Sequence, residues 1–448
     1  MRVPPNPPKD VNLFENQEKL MKMLQSVESH LVGGRYMHWR KLRYHQPPAG
    51  LTHQQWWQGV KFRRSTQYKS VPLEDKVGGN FVYVNNDPIP EIIHKIDLGG
   101  GGHIAMPNEI ANTDTRDQYY VSSLIEEAIT SSQLEGATTT RPVAKEMIRT
   151  GRPPRDKSEL MILNNYKAMK RIGQVKDKPL TKELVFELHR IVSEGTLDSP
   201  NAAGRFRTND EDVSVQGDYG EVYHVPPSAF QLETRMSAMC DFANGETPEG
   251  FLHPILRAII LHFWLSYDHP FVDGNGRTAR ALFYWSMLRS GYWLCEFISI
   301  SQIIRKAPIR YGRSFLYTET DDNDLTYFIL HHLDVIQRAI NALHEYIQRK
   351  TQELRRVESQ LKGIEVLNHR QRSLISHALR HPNTKYTVQS HQTSHNVVYE
   401  TARSDLMDLT KKGLLQGAKV GKTWYFVAQP GLEARLASLS VFPLDSNG

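Results

Sequence analysis

Cysteine is nearly missing from this chain, with Cys240 and Cys295 the only two among 448 residues. Two thiols exclude a disulfide framework and a cysteine-rich zinc site, and they fit a reducing compartment, so a cytoplasmic location is expected. Long apolar runs are lacking as well. The longest, ILRAIILHFWL at 255–265, carries Arg257 and His262 and is about half of what a bilayer crossing requires, so no membrane partner is expected. The opening MRVPPNPPKD holds four prolines and no apolar core, which argues against a signal peptide or anchor. Residues 1–14 are therefore expected to form a disordered lead-in. Charge of one sign is scarce too: the net is +6. That allows an anionic ligand but falls short of the basic stripe of a dedicated nucleic-acid protein.

The length exceeds one ordinary core, so two or three domains are expected. Residues 15–110 mix Trp, Tyr, Pro and charge in short segments after a helical pattern at 17–36. They read as a small irregular N-terminal module, with GGGG at 99–102 as a flexible joint or tight turn. From 111 to 345 the texture is helical. Val121, Leu124, Ile125, Ala128 and Ile129 recur on one helical face in a helix placed at about 119–136. Further helices are predicted over about 156–172, 181–194, 228–243, 253–268, 277–290 and 324–355. VSVQGDYGEVYHVPP at 213–227 predicts a β-hairpin around GDYG. Residues 346–448 end in helical runs and two short strands, LLQGAKVGKTWYFVA, the order of a winged helix-turn-helix. The fold class expected is mainly α.

One stretch concentrates chemistry: HPFVDGNGRTAR at 269–280. Pro270 disfavours helix at the residue before it, so the apolar helix must stop at His269 and leave it on the lip of a loop. Gly274 and Gly276 are expected to turn the backbone tightly with positive φ, and the helix that follows offers free N–H groups to phosphate oxygens. Arg277 and Arg280 are three apart, so they share a face and suit a polyphosphate. Asp273 would repel bare phosphate but suits a Mg²⁺ bridging two phosphate groups. His269, with an ordinary pKa near neutrality, suits a general base. These residues read as a site for Mg-nucleotide phosphoryl or nucleotidyl transfer. The loop glycines are not followed by GK[ST] and no HExxH occurs, so a P-loop and the usual zinc-protease pattern do not fit.

The same twelve residues resemble the signature HPFx[D/E]GN[G/K]RxxR of the Fic-domain family, all-α adenylyltransferases. The resemblance implies that His269 deprotonates a target hydroxyl and Asp273 holds Mg²⁺. It further implies that Gly274, Asn275 and Gly276 line the phosphate cradle, that Arg277 and Arg280 bind the outer phosphates of ATP, and that Phe271 anchors the loop. AMP would pass to Ser, Thr or Tyr of a target protein or of the chain itself. SSQLEG at 131–136 resembles the family's inhibitory motif [S/T]xxxE[G/N], with Ser131, Glu135 and Gly136 in the required places. Gly136 reads as the residue just past a helix, which leaves Glu135 at the negative end of the dipole, unfavourable unless a cation compensates. The resemblance names Arg280 as that cation.

The hairpin falls where the family carries a target-docking flap, which implies strand addition along Val222, Tyr223, His224 and Val225, with GRFRT (Gly204–Thr208) as its lead-in. IRYGRSFLY resembles a region contributing to the adenine pocket; Tyr311 is kept, but Gly312 stands where a second tyrosine is usual. The resemblance covers about residues 15–345 and allows a homodimer. In the winged helix, the second helix is placed around 395–410, with His395 and Arg403 facing Glu400, Asp405 and Asp408. That balance sets packing or target recruitment ahead of DNA binding. Two alternatives to self-restrained AMP transfer stand beside it: a hydrolase that removes AMP, and a DNA-binding regulator that senses ATP.

Overall fold

Burial on every side singles out two helices of the computed structural model, which describes residues 2–8, 17–100, 113–217, 220–361, 366–380, 384–420 and 423–439. The chain divides into two compact units, Met1–Leu343 and His344–Gly448. Of the expected lead-in, residue 1 and residues 9–14 lie outside the described residues, as do residues 101 and 102 of the GGGG run.

The first unit starts with helices α1 (Gln17–Ser26), α2 (Trp39–Leu42) and α3 (His53–Ser65), an antiparallel pair β1 (Tyr68–Glu74) and β2 (Asn80–Val84), and α4 (Ile89–Gly100). Thr52 caps α3 through a reciprocal capping box with Gln55. The segment is thus more ordered than the irregular module expected, while the first helix stops at Ser26 instead of reaching residue 36. Gly99 and Gly100 end α4 rather than forming a joint.

Helices α5 (Thr113–Leu134), α6 (Arg141–Thr150), α7 (Lys157–Val175) and α8 (Lys182–Ser193) follow. Next come the flap strands β3 (Val215–Gln216) and β4 (Val222–His224), then α9 (Leu232–Asn244), α10 (Pro254–Asp268) and α11 (Asn275–Arg289). The unit continues with α12 (Ile300–Arg305) and α13 (Pro308–Thr320), and α14 (Thr326–Leu361) begins in it. The sequence reading passed over α6, α12 and α13: each is short or lacks a repeated apolar stripe, and α12 is only six residues long.

Helix α10 has Pro254 in its first turn, where the missing N–H costs nothing. Ile255, Leu256, Ile259, Ile260, Leu261, Phe263 and Leu265 are all fully buried, so this helix is apolar around its circumference and must be central. Helix α11 is its equally buried neighbour, with Leu282, Phe283, Tyr284 and Trp285 inside. The two pack together; α7 and α8 pack on α11, and α9 packs on α10. The loop between these two central helices is therefore held from both ends.

A buried arginine joins the N-terminal segment to the rest of this unit. Arg64 donates to the Tyr327 hydroxyl at 2.8 Å and to the Met37 carbonyl at 2.9 Å, lies 3.7 Å over the Tyr36 ring, and sits 3.7 Å from Asp321. β2 adds a parallel bridge, with Val82 N–H donating to the Asn323 carbonyl and Leu325 N–H to that of Val82. These contacts fix the end of α13, which bears on the site below.

In the second unit α15 (His369–Arg380), α16 (Val388–His395) and α17 (Tyr399–Lys411) precede the antiparallel pair β5 (Leu415–Val420) and β6 (Thr423–Ala428), followed by α18 (Leu432–Leu439). Tyr386 exchanges both backbone hydrogen bonds with Phe426. Leu374, Ile375, Leu406, Leu409, Leu415 and Phe426 form the core. His395 ends α16 and Arg403 lies on α17, so the single helix expected around 395–410 is two elements; Asn396, at φ 47°, breaks them apart.

Phe263 packs against Phe81, Phe315 and Phe328 at ring separations of 5.3, 5.3 and 5.1 Å. Phe263→Ala is expected to destabilise the first unit by about 3–5 kcal/mol. Urea unfolding checks this, and a loss below about 1 kcal/mol would mean that α10 is not central to the core.

Candidate functional site

His269 ends α10 in the left-handed region, at φ 45° and ψ 55°. A non-glycine residue holds that conformation only where its surroundings impose it, and three contacts do so. Its N–H donates to the Leu265 carbonyl, its carbonyl accepts from Arg207 Nε at 2.9 Å, and its Nδ1 lies 3.1 Å from the Ser266 carbonyl. A carbonyl only accepts, so Nδ1 carries the proton and Nε2 keeps its lone pair. Burial, the largest influence, lowers the imidazole to about 4, against the opposing pull of the Ser266 carbonyl. At neutral pH His269 is thus an uncharged base that lines the pocket.

The loop is built to keep its shape. Asn275, buried in the first turn of α11, accepts from Phe271 N–H at 2.9 Å and donates to the Phe271 carbonyl at 2.7 Å. Its side chain is therefore spent on the loop, and only its backbone is left to face a phosphate. Phe271 is fully buried and stacks on His189 at 3.7 Å and 5°. His189 in turn accepts from Gly204 N–H at 2.9 Å through Nδ1 and donates from Nε2 to the Asp273 carbonyl at 2.8 Å. The sequence reading missed His189, which sits in an ordinary amphipathic helix with no local motif. Arg207, in the GRFRT segment, also donates to the carbonyl of Pro227 beyond the flap, and its own N–H bonds the Pro270 carbonyl at 2.8 Å.

The two glycines do different jobs. Gly274 has φ 84° and caps α11, as expected. Gly276 is helical and needs no positive φ, which corrects the sequence reading; its reason is room. A Cβ there would stand 2.3 Å from Glu135 Oε1 and 3.0 Å from Glu135 Cδ. The helix accordingly starts at Asn275 and not at 277.

The two arginines also part company. Arg277 is fully buried, donates to the Val192 carbonyl at 2.8 Å and reaches Asp273 Oδ2 at 3.4 Å, so it braces the loop from behind. Arg280 instead runs to α5, donating to Ser131 Oγ at 2.8 Å, to the Ser131 carbonyl at 3.1 Å and to Glu135 Oε1 at 2.8 Å. Gly136, at φ 91°, closes α5, with Ala137 N–H bonded to the Ser132 carbonyl and Gly136 N–H to that of Gln133. This turn aims Glu135 at Arg280. Burial pushes the Glu135 carboxyl up, but the Arg280 guanidinium more than offsets it and the group ends lowered, hence ionised.

The pocket is walled by Tyr223 and His224 of the flap, Ser266, Tyr267 and His269 of α10 and its cap, and Tyr311, Gly312, Phe315, Leu316 and Glu319 of α13, with Glu135 and Arg280 at one end. Tyr311 sets its ring in this wall and its hydroxyl 3.0 Å from His262 Nε2. Of the four flap residues, Val222 and Val225 are half exposed, whereas His224 turns inward, its ring nitrogens 2.7 Å from Glu319 Oε2 and from the Tyr267 carbonyl. Of the four, Val222 and Val225 alone are exposed. Asp273 is the lone carboxylate of the loop and 53% exposed, and among the described residues no group of three or more His, Cys, Asp or Glu could hold a metal. That donor set fits an ion arriving with phosphate oxygens, not an all-protein cage.

Burial lowers His38, His189, His269 and His331 to about 4, and His262 and His332 well below 6.5. Unfolded histidines titrate near 6.5, so between about 6.5 and 4 the unfolded chain binds more protons and stability drops as pH falls. Asp268, raised to about 6 by burial, and Asp324, also raised by burial, act oppositely but are two groups against six. Urea midpoints should therefore decline steadily from pH 7 to about 4.5; a flat or rising profile would contradict the buried neutral histidines.

Residues 179–287 match the family model described as Fic/DOC family. The chain is 34% identical over 168 residues to "Protein adenylyltransferase Fic" of Nematostella vectensis, covering 36% of this chain and 37% of that one. It is 36% identical over 164 residues to the protein of the same name from Drosophila willistoni, covering 36% and 31%. The chain thus spans about a third of the length of these curated relatives. A solved Fic family protein from Desulfovibrio desulfuricans G20 shares 16% identity at a TM-score of 0.49, over 76% of this chain and 94% of that one. His269, the glycine-bounded loop and Arg280 all lie inside the segment, residues 179–287, that matches the Fic/DOC family model.

Proposed function

We propose that this protein is a self-restrained adenylyltransferase that moves AMP from ATP to a hydroxyl of a protein. The observation that carries the reading is the pairing of Glu135 with the buried Arg280 beside the free Nε2 of His269. The names of the relatives support the same reaction. In it, His269 Nε2 takes the proton of a Ser, Thr or Tyr hydroxyl as that oxygen attacks the α-phosphorus. The new O–P bond forms as the bond to the bridging oxygen breaks, and pyrophosphate leaves. The α11 N-terminus presents N–H groups to phosphate oxygens. Bound with the nucleotide, Mg²⁺ held by Asp273 would neutralise phosphate charge.

The restraint follows from charge. Arg280 suits the terminal phosphate of ATP, and Glu135 occupies both that guanidinium and the space left by the missing side chain of Gly276. Carboxylate and phosphate compete for one buried cation, so ATP settles productively only when Glu135 leaves. The exposed Val222 and Val225 support a flap that holds the target chain by strand addition. In the winged-helix unit Glu400 pairs with Arg403 at 3.7 Å, and Asp408 with Lys412. That neutrality supports recruitment of protein ahead of binding to DNA.

With α-labelled ATP and Mg²⁺, in buffer and in cell lysate, Glu135→Gly is expected to raise label on protein about ten- to a hundredfold over wild type, the worth of a hydrogen bond between charged groups. Glu135→Gln, which keeps the shape without the charge, should lie between them. Adding His269→Ala to Glu135→Gly should cut the label by about a hundredfold or more. Intact mass would register each bound AMP. Label that is absent from all variants, or that survives loss of His269, would rule out this mechanism.

A further inference from the structure

The face of α13 that turns away from the pocket carries cations. Arg310, Arg313 and Tyr317 follow the i, i+3, i+7 spacing of one stripe, whereas Tyr311, Gly312, Phe315, Leu316 and Glu319 line the pocket from the other side. Tyr317 stacks on His38 at 4.3 Å and 12°, and His38 caps α2. Lys41, one turn along α2, is thereby brought beside the two arginines, with Arg40 next to it in the chain and Arg35 shortly before. Burial and the charges of Arg310, Arg313, Arg35 and Arg40 lower the Lys41 ammonium from its ordinary pKa, which agrees with this placement. Arg35, Lys41 and Arg310 are exposed.

None of the five has a carboxylate within 4.0 Å among the described residues, and Arg313 Nε is buried with no hydrogen-bond partner. Elsewhere on this unit Arg141, Arg152, Arg171, Lys182 and Arg205 each meet a glutamate. A chain with a net charge of only +6 has thus gathered five unneutralised cations in one place, where they repel one another. An anionic partner would turn that repulsion into attraction.

We infer that this patch docks an acidic segment of the protein substrate, about one helix diameter, ~10 Å, from the pocket. The inference rests on the proposed transfer to protein. The patch is compact and does not form the extended track that follows a nucleic-acid backbone, and the exposed Ile309 at its edge offers an aliphatic contact that a phosphate backbone does not use. A second foothold on the acceptor would raise the effective concentration of its hydroxyl at the flap.

The test measures fluorescence anisotropy of a labelled all-glutamate decapeptide and, separately, of a short DNA duplex, each titrated with the full chain at several salt concentrations. The decapeptide should bind in a salt-sensitive way. Binding should weaken about tenfold or more in Lys41→Glu with Arg310→Glu and Arg313→Glu, and less in the corresponding glutamine variant. Lys69→Glu with Lys76→Glu, exposed cations outside the patch, should leave it unchanged, and thermal melting confirms that each variant is folded. Absence of decapeptide binding, equal binding by the patch variants, or duplex binding alone that the patch variants abolish would each overturn the inference. The decapeptide has no side-chain hydroxyl and no label is transferred, so failure here is distinct from failure of the transfer reaction.

Discussion

A guanidinium taken out of water must find an anion, and Arg280 is such a guanidinium, 2% exposed beneath the pocket. An unpaired charge at that depth would cost several kcal/mol, so the site cannot be left without a negative partner. In this structure the partner is Glu135, with Ser131 accepting two further hydrogen bonds from the same guanidinium. In the proposed transfer, the restraint and the reception of a phosphate are two uses of one electrostatic requirement. Glycine at 276 belongs to the same requirement, because any larger residue would stand where the carboxylate now lies.

The loop around His269 shows how rigidity is supplied from a distance. The positive φ of His269 is held by Arg207 and by the final hydrogen bond of α10. The course of the loop past that point is held by Asn275, Phe271 and His189. None of these groups needs to touch a reacting atom. They hold the imidazole in one orientation, and in the proposed transfer such preorganisation is what makes a weak base effective.

Helix α13 ties three functions to one element. One face walls the pocket, the other carries the cation stripe, and its end is fastened through Asp321, Arg64 and the β2 bridge.

Much of this was legible in the sequence alone. The end of α10 at His269 follows from Pro270, the turn at Gly274 from its freedom at positive φ, and the closure of α5 from Gly136, since each is dictated within a few residues. The burial of α10 agrees with a run that is apolar apart from Arg257 and His262. Other features were decided only by tertiary structure. Arg277 and Arg280 have the same local spacing to any phosphate, yet one reaches Val192 and Asp273 and the other reaches Ser131 and Glu135, as the neighbours of α11 dictate. His189, the inward turn of His224 and the convergence of Lys41 with Arg310 and Arg313 depend on residues far apart in the chain. Local preferences act over a turn or two of backbone, whereas a buried charge or ring takes its partner from whichever segment packing brings within reach.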